Sequence, residues 1–292
     1  MNTGILNRHP GRGQPCPRER ELFNSRTRLP ALLSVLAAAA IGFLPVMAAA
    51  QPTPLIHAHA HNDYLHPRPL LDALDQGFCS VESDIYLVDG QLLVAHDRDK
   101  VKPDRTLQSL YLDPLRERAK KNGGRVFPKG PEFTLLIDLK SDWKITYPAL
   151  RAVLTNYADI LTTFRDGMKH SNAVMAVISG SRDRKMFDGE TVRYAAFDGE
   201  LSDLDSNPSP NFAPWISARW GGSFSWRGSG EIPQAEKQKL ESIVKRAHSQ
   251  GRRVRFWGAP DHREFWRLLH SAHVDLINTD DLAGLKQFFS VD

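Results

Sequence analysis

Along most of the chain, short runs of β-branched and apolar residues alternate with longer stretches whose apolar positions recur at helical spacing. The runs fall at 54–60, 79–86, 133–139, 173–179, 192–197, 215–218, 253–257 and 274–278. The amphipathic stretches fall at 70–76, 107–121, 147–161, 232–249, 262–272 and 281–289. A short apolar run bounded by turn residues predicts a strand, and a three-to-four spacing predicts a helix. Eight strands interleaved with helices over about 240 residues predict a (β/α)8 TIM barrel, because parallel strands need a crossover between them. Residues 180–191 and 199–214 pattern weakly as helix, and the second is rich in Pro, Asn, Ser and Asp, so the barrel is expected to be irregular over 180–214. Asp89-Gly90 lies between two apolar-rich runs and predicts a tight hairpin. Whether as hairpin or as simple surface turn, it carries His96 back toward the end of the second strand.

Ahead of this pattern the chain reads differently. Residues 1–28 hold six Arg and two Glu, residues 29–47 are mostly Leu, Ala, Val, Ile and Phe, and Ala48-Ala49-Ala50 precedes Gln51. A basic start, an apolar middle and a small-residue finish make a secretory signal peptide. The expectation is an exported chain, periplasmic or secreted, cleaved near Ala50-Gln51, with residues 51–292 forming one barrel domain. The apolar stretch is also long enough to anchor in a bilayer. Pro30, Pro45 and the lack of a basic stop after Ala50 favour cleavage, and the long basic start is compatible with a start codon downstream of Met1.

Removing that leader changes the charge picture. The whole chain has 38 Lys and Arg against 34 Asp and Glu, and the first fifty residues take six Arg and two Glu with them, leaving 32 of each sign. A balanced chain gives no support to nucleic-acid binding, so the basic pI of about 9.1 describes the leader. Cys16 leaves as well, and Cys79 alone can form neither an intramolecular disulfide nor a cysteine-based zinc site.

The chemistry concentrates between His57 and Asp97 and at the ends of the runs. The first run leads into His57-Ala58-His59-Ala60-His61-Asn62-Asp63-Tyr64, the second contains Glu82 and Asp84, and the hairpin returns at His96-Asp97. The third run adds Asp138 and Lys140, two apart and therefore on one face. Strand ends that meet solvent explain polar residues closing the fourth, fifth and eighth runs. They do not explain Glu82, Asp84 and Asp138, which are embedded in apolar segments where unpaired carboxylates are excluded. Three converging carboxylates repel unless a cation neutralises them, and an all-oxygen set favours a hard divalent ion, Mg²⁺ or Ca²⁺. Such a centre suits an anionic phosphate substrate, with His61 and His96 as an acid–base pair. Beside it, Lys140 and Arg219 become phosphate partners. The alternate histidines His57, His59 and His61 admit a second reading, an all-histidine transition-metal patch; otherwise His57, His59 and His66 support or rim the site. The aromatic loop with Trp215, Trp220, Phe224 and Trp226 reads first as loop core, and second as a surface for a choline-like head group or for peripheral contact with lipid.

The series His61, Glu82-x-Asp84 and His96-Asp97 after an Asp-Gly turn resembles the phosphatidylinositol phospholipase C-like superfamily of TIM barrels, which includes the glycerophosphodiester phosphodiesterases. His61-Asn62-Asp63-Tyr64 with Arg68-Pro69-Leu70, Phe256-Trp257-Gly258-Ala259-Pro260-Asp261 and Asn278-Thr279-Asp280-Asp281-Leu282 are most similar to its altered-inheritance-of-mitochondria branch. Asp138-Leu139-Lys140 also matches the related sphingomyelinase D enzymes. The resemblance implies His61 and His96 as catalytic residues, Glu82, Asp84 and Asp138 as metal ligands, and Lys140 at the phosphate; Asn62, Arg219 and Trp257 are expected beside the substrate. It implies a phosphoric diester hydrolase acting on a small-molecule or lipid diester, such as a glycerophosphodiester or (lyso)phospholipid, with no protein partner. There are two departures: Asn62 stands where the diesterases usually carry Arg, and His66-Pro67-Arg68-Pro69 replaces their Pro-Glu-Asn segment. The alternative is a catalytically silent barrel that binds such diesters.

Overall fold

The structure, a computed structural model, describes residues 51–291; the expected leader, residues 1–50, lies outside the described residues. Eight parallel strands follow one another round a ring: β1 (Ala58–Ala60), β2 (Ser80–Val88), β3 (Phe133–Leu139), β4 (Val174–Gly180), β5 (Ala195–Gly199), β6 (Trp215–Arg219), β7 (Arg253–Trp257) and β8 (Leu276–Thr279). β8 pairs with β1 through Ile277 and Ala58, and β1 pairs with β2 through Ala60 and Val81, so the sheet closes on itself. Closure removes the open strand edges that a flat sheet would expose. The expected (β/α)8 barrel is present.

Local chemistry explains where the elements begin and end. The strand Gln91–Val94 pairs antiparallel with β2, and Asp89 and Gly90 join them with φ of 49° and 77°. Two left-handed residues are what a two-residue turn of the favoured twist requires, so the Asp-Gly hairpin forms as expected. The helices are α1 (Leu71–Gln76), α2 (Asp113–Lys121), α3 (Trp143–Thr155), α4 (Asp203–Ser206), α5 (Trp220–Ser223), α6 (Gln234–Ser249), α7 (Arg263–Ser271) and α8 (Leu282–Val291). α2 is shorter than the expected 107–121. Its first part, Gln108–Leu112, is a wide π turn, and Pro114 directly follows the junction without an amide to continue the ladder. α3 starts four residues earlier than its apolar spacing suggests, because Asp142 caps it by accepting the Lys144 amide at 3.0 Å.

The irregular region falls where expected. Between β4 and β6 the only described helices are a 3-10 turn at Arg184–Phe187 and the one-turn α4. The run 192–197 divides. Val192–Arg193 joins Thr163–Arg165 and Met168–His170 in a small antiparallel sheet, and only from Ala195 does the chain enter the barrel. The Arg193 guanidinium lies 4.6 Å from the Phe164 ring centre and 5.1 Å from that of Phe187, which holds this residue outside the barrel wall. The first run is also trimmed, since of residues 54–57 only Leu55 makes a strand-type bridge, to Phe78.

The core divides into two layers. Alternate residues Leu135, Ile137, Val174, Ala176, Ile178 and Val254 face outward into one cluster with the helices. Their neighbours Leu136, Met175, Val177, Ala196, Trp215 and Leu276 make a second cluster that fills the barrel's lower interior. Trp220 stacks on Phe224 at 4.1 Å and meets Phe256 and Phe265 edge-on. Trp226 stacks on Phe265. The aromatic loop is therefore core, the first of its two readings. Among the described residues no helix is long and apolar enough to cross a membrane.

Candidate active site

Strand alternation builds the site above that apolar floor. Because successive side chains point to opposite faces, the positions that follow the floor residues upward also point inward. They are Glu82 and Asp84 on β2, Asp138 on β3, Ser179 on β4, Asp198 on β5, Ser217 and Arg219 on β6, and Arg255 and Trp257 on β7. With His61, Asn62, His96 and Lys140, all of these except Asp84 line one cavity of about 1100 Å³ at the C-terminal ends of the strands. Asp84 lies fully buried in its wall. The nine residues singled out in the sequence are thus gathered at one barrel mouth.

Glu82, Asp84 and Asp138 place a carboxylate oxygen each within 4.8 Å of one another, and Asp84 and Asp138 are register partners across β2 and β3. Among the described residues this is the one group of His, Cys, Asp and Glu able to share a metal ion. The all-histidine patch is corrected accordingly. The His57 ring packs against His270 and Phe289, and its Nδ1 is 3.0 Å from the Asp275 carbonyl. His59 is fully buried below Glu82, with Nδ1 2.7 Å from Ser80 Oγ. Burial and the nearby Arg255 push the His59 imidazole down to about 3, so it is a neutral support.

Charge in the cluster is only partly balanced. Arg255 donates to Glu82 Oε2 at 2.6 Å, and Lys140 Nζ sits 2.9 Å from Asp84 Oδ2 and 3.2 Å from Asp138 Oδ1. Three carboxylates against two cations leave one negative charge when all are ionised. Burial resists ionisation of Glu82, but Arg255 and the His59 contact outweigh it and hold that carboxyl well below the usual range. Asp84 is pushed the other way, up to about 6, by burial and by the charge of Glu82. Its Oδ2 accepts from Tyr64 at 2.6 Å, while its buried Oδ1 has no hydrogen-bond partner. A buried carboxylate oxygen without a donor, beside two more carboxylates and a residual negative charge, fits a hard divalent cation.

The two histidines stand in different surroundings. His61 Nδ1 lies 2.9 Å from Asp280 Oδ1 and 3.1 Å from the Asn62 amide nitrogen. Burial lowers the affinity of His61 for a proton, yet the Asp280 hydrogen bond and the charge of Glu82 prevail and raise it above the ordinary value. Asn62 has φ of 46°, a left-handed conformation that Asn tolerates better than most residues, and the turn lets Tyr64 reach both Asn62 Oδ1 and Asp84. His96, at the end of the hairpin, is exposed, with Nδ1 3.0 Å from Asp97 Oδ1. On the opposite side Arg219 Cζ is 5.7 Å from the centre of the Trp257 ring.

Three participants escape a linear reading: Arg255, Asp280 and Asp198. Asp198 is buried, accepting from Ser217 at 2.6 Å and Ser179 at 3.1 Å. The signal for Arg255 was a charged residue inside an apolar run, the criterion that did find Asp138; Asp198 and Asp280 looked like ordinary polar strand ends.

Comparison with known proteins places the chain in a family. Residues 48–198 match the AIM6-like phosphodiesterase domain. The altered inheritance of mitochondria protein 6 of Eremothecium gossypii is 30% identical over 270 residues, covering 80% of this chain and 69% of that protein. The chain belongs to the AIM6-like phosphodiesterase family. A homologue from Arthroderma benhamiae is 27% identical over 263 residues, covering 80% of this chain and 84% of its own. Among solved structures, a glycerophosphodiester phosphodiesterase from Agrobacterium tumefaciens aligns with a TM-score of 0.49 at 17% identity, covering 81% of this chain and all of that one.

Proposed function

We propose that this AIM6-like barrel is a metal-dependent phosphoric diester hydrolase acting on a glycerophosphodiester or (lyso)phospholipid-type substrate. The observation that carries the reading is the convergence of His61, His96, three carboxylates and Lys140 on one cavity. Held by Glu82, Asp84 and Asp138, Mg²⁺ or Ca²⁺ would supply positive charge to the diester phosphate. Lys140, at the rim of the carboxylates, is placed to turn its ammonium to a phosphate oxygen once they are neutralised. His96, open to solvent, accepts a proton from the attacking water or substrate hydroxyl as the new P–O bond forms. His61, which Asp280 favours in its protonated form, gives its proton to the departing alkoxide as the old P–O bond breaks. Attack by water leaves a monoester; attack by a substrate hydroxyl leaves a cyclic phosphate.

One observation favours a second reading, a barrel that binds diesters without turnover. Lys140 already lies between Asp84 and Asp138, where a cation would otherwise stand. A panel of glycerophosphodiesters, lysophospholipids, phosphoinositides and bis-p-nitrophenyl phosphate, assayed with and without EDTA, separates the two. Turnover is expected to vanish with EDTA and to drop by at least about 10²-fold in His61→Ala and His96→Ala, the scale of a lost general acid or base. Activity that survives chelation or both substitutions overturns the mechanism, and binding without turnover establishes the silent barrel.

A further inference from the structure

The cavity has room and charge that the phosphodiester centre does not use. Four cationic side chains besides the histidines line it, and three are committed. Lys140 meets Asp84 and Asp138, Arg255 meets Glu82, and Arg182 meets Glu200 while donating to the carbonyls of Asp198 and Gly180. Arg219 is different. It is exposed at the rim and, among the described residues, has neither a hydrogen bond nor an ion pair; its one contact of note is the face of Trp257. Trp257 is itself 40% exposed.

The backbone is shaped to keep the pair together. β6 and β7 place Arg219 and Trp257 as register partners, and Gly258 follows with φ of 60°. A Cβ at 258 would meet Arg219 Cγ at 3.7 Å and Nε at 3.9 Å, ordinary contact distances, so the arginine stem lies directly beside this glycine. An arginine laid along an aromatic ring keeps its N–H edge free to point at an anion. It also takes up one face of the ring and repels a quaternary ammonium group brought close to it.

We propose that Arg219 and Trp257 form a head-group subsite that selects diesters whose second arm carries a negative charge, a carboxylate or a phosphate, and rejects choline-like arms. This rests on the reading of the cavity as a phosphodiester site and narrows its substrate class. The carboxylates that share the cavity leave Arg219 unpaired: Glu82 is met by Arg255, Glu200 by Arg182, Asp138 shares Lys140 with Asp84, and Asp198 accepts from two serines, while a cation held by the cluster would take up its remaining charge.

The test separates binding from chemistry. Full-length protein carrying His61→Ala, to suppress turnover, is titrated calorimetrically with four methyl phosphodiesters. They differ only in the second arm: 2-carboxyethyl, 2-phosphoethyl, propyl or choline. At least one anionic arm is expected to bind about tenfold tighter than propyl, equivalent to about 1.4 kcal/mol, and choline weaker than propyl; the two anionic arms show which anion is preferred. Arg219→Glu is expected to reverse the order, and Arg219→Gln to flatten it, each with melting followed to confirm the fold. Choline as the tightest ligand, an order unchanged in Arg219→Glu, or no binding of any of the four overturns the proposal. The phosphodiesterase reading fails separately, when wild-type protein binds the preferred diester in this order and cleaves none.

Discussion

Asp63 shows how much a single buried group can set. It stands two residues beyond His61 and accepts from the Leu70 amide at 2.5 Å and the Tyr111 hydroxyl at 2.9 Å, both on Oδ2, while the buried Oδ1 has no partner. Burial pushes its carboxyl up to about 6 from 3.8, against the pull of those two hydrogen bonds. Between those values the folded protein holds a proton that the unfolded chain has released. Stability from this group is therefore complete below about pH 4 and lost as pH rises through about 6, at no more than about 1.4 kcal/mol per pH unit. Urea unfolding of wild type and Asp63→Asn should show wild type losing ground to the variant across that window. A constant difference between the two would mean that Asp63 is ionised throughout. The same scale exposes the limit of reading residues singly. Glu82, Asp84 and Asp138 announced themselves as carboxylates inside apolar runs. Arg255 broke the same rule on β7, yet only its contact with Glu82 shows that it neutralises the site.

At the scale of elements, the barrel mouth depends on how closely β3 and β4 approach. Gly180 closes β4 with φ of 73°, and a Cβ there would collide with the Asp138 carboxylate and with the Leu139 backbone on β3. Gly90, in the hairpin turn, has φ of 77° and nothing within 4 Å of such an atom. Both glycines satisfy a left-handed backbone, worth about 1–2 kcal/mol against an L-residue, but only Gly180 also guards a packed site. Gly90→Ala should therefore lose about 1 kcal/mol in urea unfolding, with cation binding intact. Gly180→Ala should lose measurably more and displace Asp138, weakening divalent-cation binding in calorimetry. Equal losses with equal cation binding would show that β4 yields to the extra atom. Element existence was legible along the chain because period-two and helical spacing are local properties. The departure of Val192–Arg193 to a second sheet was not, since it answers to Phe164 and Arg165, distant along the sequence.

For the whole molecule, a cation held by the carboxylate cluster would tie ligand binding to folding. A cation that binds only the closed barrel stabilises it by about 2.7 kcal/mol at a hundredfold excess over its dissociation constant. For a domain of this size that is roughly 5–10 °C in melting temperature. Mg²⁺ or Ca²⁺ should produce such a rise in calorimetry, EDTA should reverse it, and Asp84→Asn with Asp138→Asn should abolish it. An unchanged melting temperature at saturating cation would leave Lys140 as the permanent counter-charge of the cluster.

By itself the sequence determined the alternation of strands and helices, the Asp-Gly hairpin, the weak crossovers of 180–214 and the identity of the embedded carboxylates. These follow from residue type and spacing within a dozen positions. Tertiary structure alone decided which polar groups meet. Glu82 and Arg255 are 173 residues apart, and His61 and Asp280 are 219 apart. Their contacts exist because β8 returns to β1 and closes the ring. Whether an inward position holds a solvated cap or a buried partner is set by that closure, and no local pattern encodes it.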